Sequence, residues 1–278
     1  MCLVAWAVGQ SERFPWVLVS NRDEFFDRLA SPMSWWRPAQ TQPELLAGRD
    51  LGAGGTWLGL SRAGLLALVT NVREPGRQQL DAPSRGSLVV DWLRRAQVLG
   101  DVDSVLRVPR NGFNLLSLDL GAHPTDATAA LGLCFSNRAR GACLIQSGVY
   151  GLSNAGLDDP WPKVQALKLR LIQAMAAEGQ RQALVDTLLA SLADRHQAAD
   201  AVLPRTGVSL ERERLLSPAF IRIASDDLPT RVYGTRCSTV VLVERTSHGR
   251  KIHVVECSFD ANGSEAAQVA FEWPLDGL

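Results

Sequence analysis

Strands gather at the two ends of this chain and helices in its middle, and that order restricts the fold more than any other feature. Short apolar runs over residues 2–8, 16–20, 56–60, 65–70, 113–118 and 131–135 read as strands. Turn signals at Gly9-Gln10-Ser11-Glu12 and Ser61-Arg62-Ala63-Gly64 join adjacent runs into hairpins. A first helix fits 87–99, with Leu88, Val89, Trp92, Leu93 and Ala96 on one face. The longest helical stretch follows Asp158-Asp159-Pro160, with Asp159 as cap and Pro160 at the first helical position. Val164, Leu167, Leu171 and Met175 mark its apolar stripe, and a further helix carries Leu184, Leu188 and Leu192. Residues 200–214 read as an irregular connection around Pro204 and Gly207, before apolar strands at 239–244 and 251–259. Sheets need their apolar faces covered, so strands, helices and strands again predict an α+β layered architecture. With no repeat and no sharp boundary, the expectation is one domain over 1–278.

Totals narrow the function classes. Charged residues balance at 29 basic and 29 acidic, which gives a nucleic acid no electrostatic reason to bind. The 5 cysteines are an odd number without a C-x-x-C pair, so a disulfide framework is not expected and a reducing, cytoplasmic location is. No apolar run reaches the ~18 residues that span a bilayer, and the N-terminal run lacks signal-peptide features.

The chemistry concentrates at the start. A small second residue allows Met1 to be removed, leaving Cys2 with a thiol and a free α-amine on one carbon. Their unperturbed pKa values, about 8.5 and about 7.7 to 8.0, let the amine relay the thiol proton near neutral pH. Taken by itself, Cys2 reads better as a small apolar core residue than as a nucleophile. Pairing 2–8 against 16–20 around a turn near Ser11 sets Cys2 opposite Ser20 or Asn21 and brings Asn21-Arg22-Asp23-Glu24 beside it. Arg22 then lowers the thiol pKa and orients a leaving group or a substrate carboxylate, and Asp23 accepts from the α-ammonium; the alternative is a solvated turn. The second hairpin sets Thr70-Asn71 opposite Gly54-Gly55. That glycine cluster opens a strand, where phosphate-binding loops open helices, so a nucleotide site is not expected. Arg236 starts a near-continuous apolar strand and calls for a carboxylate, structural or substrate. The four histidines fall in no zinc spacing and no G-x-S-x-G elbow is present, so neither a metal nor any other cofactor is expected.

Read in order, the motifs Met1-Cys2, Ser20-Asn21-Arg22-Asp23-Glu24, Ala47-Gly48-Arg49-Asp50, Gly54-Gly55-Thr56-Trp57, Thr70-Asn71-Val72-Arg73, Asn111-Gly112-Phe113-Asn114, Gly151-Leu152-Ser153-Asn154 and Tyr233-Gly234-Thr235-Arg236 resemble the NRDE family. Its animal members are called transport and Golgi organisation proteins. The family is in turn similar to N-terminal-nucleophile hydrolases of the bile-salt hydrolase and penicillin V acylase branch. The resemblance implies a four-layer αββα sandwich and a small-molecule amide or acyl substrate. It implies Cys2 as nucleophile, Asp23 as partner of the amine, Asn71 and Asn154 near the oxyanion, Arg236 as a second site arginine, and Asn21 and Arg22 on the substrate. Those hydrolases place their first arginine about three residues before the aspartate, whereas Arg22 touches Asp23 directly. The family's link with lipid and haem handling implies the rival reading, a haem or lipid carrier on the same fold. The oligomeric state is not legible.

Overall fold

The computed structural model describes residues 2–95, 100–123, 130–177, 179–225 and 228–275. In chain order the elements are β1 (Cys2–Val8), β2 (Trp16–Phe25), β3 (Ala30–Trp36), β4 (Leu45–Asp50), β5 (Leu58–Ser61), β6 (Leu65–Asn71), α1 (Gly86–Arg94), α2 (Val102–Leu106), β7 (Phe113–Asp119), β8 (Gly132–Ser136), β9 (Ala142–Ile145), β10 (Gly148–Leu152), α3 (Pro162–Ala176), α4 (Arg181–Leu192), α5 (Leu210–Leu215), β11 (Arg222–Ser225), β12 (Leu228–Thr246), β13 (Gly249–Phe259) and β14 (Glu265–Pro274). One antiparallel sheet runs β10-β1-β2-β12-β13-β14, with β11 paired to β12; the other is the meander β3 to β9.

Alternation along β1 shows how the layers stack. Val4, Trp6 and Val8 join a cluster with Leu46, Leu58, Leu66 and Leu116 of the second sheet. Leu3, Ala5 and Ala7 turn the other way, onto Val164, Leu167 and Leu171 of α3 and Leu184 and Leu188 of α4. A strand with both faces covered must be apolar throughout, as β1 is. On the outer face of the second sheet, Ala67, Val69, Leu115 and Leu133 pack against Leu88, Val89 and Trp92 of α1. The order helix, sheet, sheet, helix is the expected αββα sandwich.

Local departures have local causes. The β1–β2 turn is centred on residue 12, closed by Gly9 N donating to Pro15 O at 2.8 Å, so Cys2 lies opposite Arg22 and not Ser20 or Asn21. The long helix starts at Pro162 with Trp161 as N-cap; Asp159 is not the cap, because its carboxylate accepts from Gly156 N at 2.6 Å within the preceding turn. The expected irregular stretch 200–214 contains a 3-10 turn (Asp200–Val202) and α5, whose cap Ser209 accepts from Arg212 N at 3.2 Å. The first helix begins at Gly86; the end expected for it, 96–99, lies outside the described residues.

Candidate active site

Cys2 opens β1 at the level where β2 carries Arg22 and Asp23. Residues directly opposite across an antiparallel pair share a face, so Cys2 and its partner Arg22 both stand between the two sheets. Asp23, one residue on, points to the helix side, as period-two alternation requires. β2 is still in ladder there and continues to Phe25. Both side chains nevertheless line, with Cys2, one cavity of about 380 Å³ whose wall also includes Trp57, Asn71 and Arg85. The Arg22 guanidinium lies flat on Trp57, 4.1 Å from the ring centre.

Asp23 is 1% exposed, and its Oδ1 accepts from Thr235 Oγ1 at 2.8 Å. Burial raises its pKa, while Lys163, the chain-terminal ammonium and the Thr235 hydrogen bond pull it back down. Lys163, 4% exposed at the start of α3, donates from Nζ to Leu216 O at 3.0 Å. Desolvation brings it down to about 8, with Asp23 the main charge opposing that fall. Burial pushes the Cys2 thiol up, and the terminal ammonium is the leading influence drawing it down. The thiol is therefore neutral at pH 7 and needs a base to become a nucleophile. With Met1 removed, the amine would sit on the α-carbon of Cys2 itself; Met1 lies outside the described residues.

Asn154 ties the exit of β10 to the end of β6, donating from Nδ2 to Asn71 O at 2.8 Å. Asn71 lines the cavity, whereas Asn154 does not. Ser153 Oγ donates to Cys2 O at 3.0 Å and fixes the first residue of β1 from the other side.

Two expected site residues stand elsewhere. Asn21, fully buried, points under the helices: Nδ2 donates to Leu192 O at 2.9 Å and Ala219 O at 2.8 Å, and Oδ1 accepts from Ser238 Oγ at 2.6 Å. Buried beneath the helices with both amide hydrogens engaged, Asn21 does not line the cavity. Arg236 occupies a β-bulge between Thr235 and Cys237 and satisfies Nη1 on the carbonyls of Phe25 and Arg28, both at 2.9 Å, where a carboxylate was expected. It lines a neighbouring cavity of about 80 Å³ together with Arg22, Trp57, Cys237 and Glu256.

Lys163, Arg85 and Thr235 were not singled out from the sequence. Lys163 left a signal, as one of only three lysines and the immediate neighbour of Val164 in the apolar stripe of α3. Behind it lies a second buried charge pair, Arg73 to Glu213 at 2.6 Å.

Fold and site together define an αββα protein with a cysteine at the head of an inner strand, opening on a polar cavity. Residues 1–261 match the model of the Transport and Golgi organisation 2 family, and the chain belongs to that family. The Bos taurus Transport and Golgi organization protein 2 homolog is 35% identical over 246 residues, 84% of this chain and 83% of its own length. The Homo sapiens homolog is 34% identical over 247 residues, with the same coverage of 84% and 83%. The Drosophila melanogaster protein is 27% identical over 278 residues, 92% of this chain and 91% of its own. Among solved structures, the chain is similar to a Caenorhabditis elegans ortholog of N-acylethanolamine-hydrolyzing acid amidase, at 12% identity and a TM-score of 0.46, over 87% of this chain and 92% of that one. It is also similar to a C2A mutant of the conjugated bile acid hydrolase from Clostridium perfringens, at 10% identity and a TM-score of 0.39, over 99% and 98%. Among the described residues no helix is long and apolar enough to cross a membrane.

Proposed function

We propose that this protein hydrolyses a non-peptide C–N amide through a thioester on Cys2, after removal of Met1. The Cys2 sulfur attacks the amide carbonyl, and its proton passes to the α-amine and from there to the departing amine. Water then cleaves the thioester, returning the thiol and releasing a carboxylic acid. Asp23, held by Thr235 and countered by Lys163, orders the α-amine. Asn71 donates to the oxyanion from the cavity wall, with Asn154 holding it in place. Removing one such donor costs roughly 3 to 4 kcal/mol of transition-state stabilisation in comparable sites. Arg236 shapes the loop after β2 from behind Arg22.

The observation that carries this reading is the placement of Cys2 on the wall of a cavity it shares with Arg22, Asp23 and Asn71. Intact-mass analysis of the purified chain supplies the test. The expected result is a mass lacking Met1, then an acyl adduct on Cys2 when a panel of activated acyl amides is added and the reaction is quenched with acid. Retained Met1, or acylation unchanged in Cys2→Ala, refutes it.

A further inference from the structure

Three arginines and three carboxylates line the Cys2 cavity, but they do not all pair off among themselves. Arg28 and Asp50 pair at 2.8 Å, which removes both from the count. Asp23 is countered by Lys163. Arg22 and Arg85 then face a single carboxylate, Glu24, whose Oε1 accepts from Phe25 N at 2.9 Å. One positive charge is left over.

Arg22 is the more exacting of the two. It is 6% exposed, its Nη1 is enclosed without a hydrogen-bond partner, and among the described residues it forms no ion pair. Glu256 lines the small neighbouring cavity with Arg22 and feels its charge, but the two form no ion pair. Burial raises the Glu256 pKa toward the uncharged form, and its oxygens already accept from Met33 N at 2.7 Å and Thr239 Oγ1 at 3.3 Å. Arg85, which lines the same cavity at the N-cap of α1, spends Nη1 on a neutral carbonyl, Gly112 O, at 3.0 Å. A buried guanidinium without an anion is costly, and an anion entering the cavity removes that cost.

We propose that Arg22 and Arg85 form an anion subsite that receives one carboxylate of the substrate, so that the amide presented to Cys2 belongs to a monoanionic compound. The inference rests on the reading of Cys2 as nucleophile. It restricts the substrate to amides bearing a carboxylate on either the acyl or the amine side, and sets neutral amides aside. Glu24 beside Arg85 disfavours a dianion.

Iodoacetate and iodoacetamide are nearly isosteric and differ in charge. In both, the Cys2 thiolate displaces iodide, forming one S–C bond as the C–I bond breaks, and the thiol proton leaves to solvent. Labelling of the Met1-free protein is read at Cys2 by peptide mass, which separates it from the exposed Cys143. The expected result is saturable labelling by iodoacetate, slowed by acetate, and linear labelling by iodoacetamide. In Arg85→Gln the ratio of the two rates should fall by at least about tenfold, the scale of one charge-assisted hydrogen bond, and Arg85→Lys should restore part of it. A wild-type ratio equal to that of a short cysteine peptide, with no protection by acetate, overturns the subsite while leaving the nucleophile standing. Failure of both reagents to label Cys2 removes the nucleophile and the subsite together.

Discussion

Asn154 holds Asn71 by its backbone: the 2.8 Å bond from Asn154 Nδ2 to Asn71 O joins the turn after β10, in one sheet, to the end of β6, in the other. The part of the cavity wall that Asn71 supplies is thus positioned by a buried amide that does not itself line the cavity. Replacing Asn154 by Ala strands the Asn71 carbonyl and should destabilise the protein by about 1–3 kcal/mol. Urea denaturation measures the loss, and Asn154→Asp, which keeps the shape without the donor, should lose as much. An unchanged midpoint in both variants would deny the tether.

Asn21 separates fold from chemistry. Its three hydrogen bonds join β2 to the end of α4, to Ala219 and to β12. Asn21→Leu should lower the thermal midpoint by several degrees, at a cost on the order of 2–4 kcal/mol. Cys2 alkylation in the folded variant should match wild type. A large change in alkylation without a loss of stability would return Asn21 to the site.

Lys163 makes stability depend on alkaline pH. Its ordinary value of 10.5 falls to about 8 on folding. Between those limits the unfolded chain holds a proton that the folded chain has released, so stability rises with pH across the interval, and below about 8 the burial penalty is complete. Wild type should therefore gain on Lys163→Met from pH 8 to pH 10.5, by at most about 3 kcal/mol, the equivalent of that fall. A stability difference between the two that stays flat over the interval contradicts the burial of a charged Lys163.

Arg73 and Glu213 lie at 5% and 3% side-chain exposure and pair at 2.6 Å. Removing one partner leaves a buried charge, so Arg73→Leu should cost about 3–5 kcal/mol. Adding Glu213→Leu to it should recover part of that loss, because the abandoned carboxylate disappears. Additive losses in the double variant would show that the two residues act separately.

The architecture was largely legible because its strands are covered on both faces. β1, whose seven residues are all buried, cannot be mistaken for a surface strand, and its expected bounds agree with those observed. Most strands that escaped notice lack that signature; β4, buried at five of its six positions, is the exception. β14 is mostly exposed, and β9 carries Cys143 and Leu144 outward. At the site, the sequence brought Cys2, Arg22 and Asp23 together through a single hairpin. Lys163 was not legible, because its approach to Asp23 depends on how α3 crosses β1 and β2, a tertiary fact no local pattern encodes. Asn21 and Arg236 were misplaced for a related reason: alternation and one inserted residue decide which side each one serves.

That inserted residue has a bearing on how relatives of this chain can drift in length. Downstream of Arg236, β12 pairs without interruption with β13 as far as the Thr246–Gly249 turn. Losing one residue at the bulge would rotate every side chain between it and one flank by half a period, exchanging Thr235, which grips Asp23, for a neighbour facing the wrong layer. Insertions and deletions should accumulate at the exposed tip of the hairpin and be purged at position 236, whatever amino acid stands there.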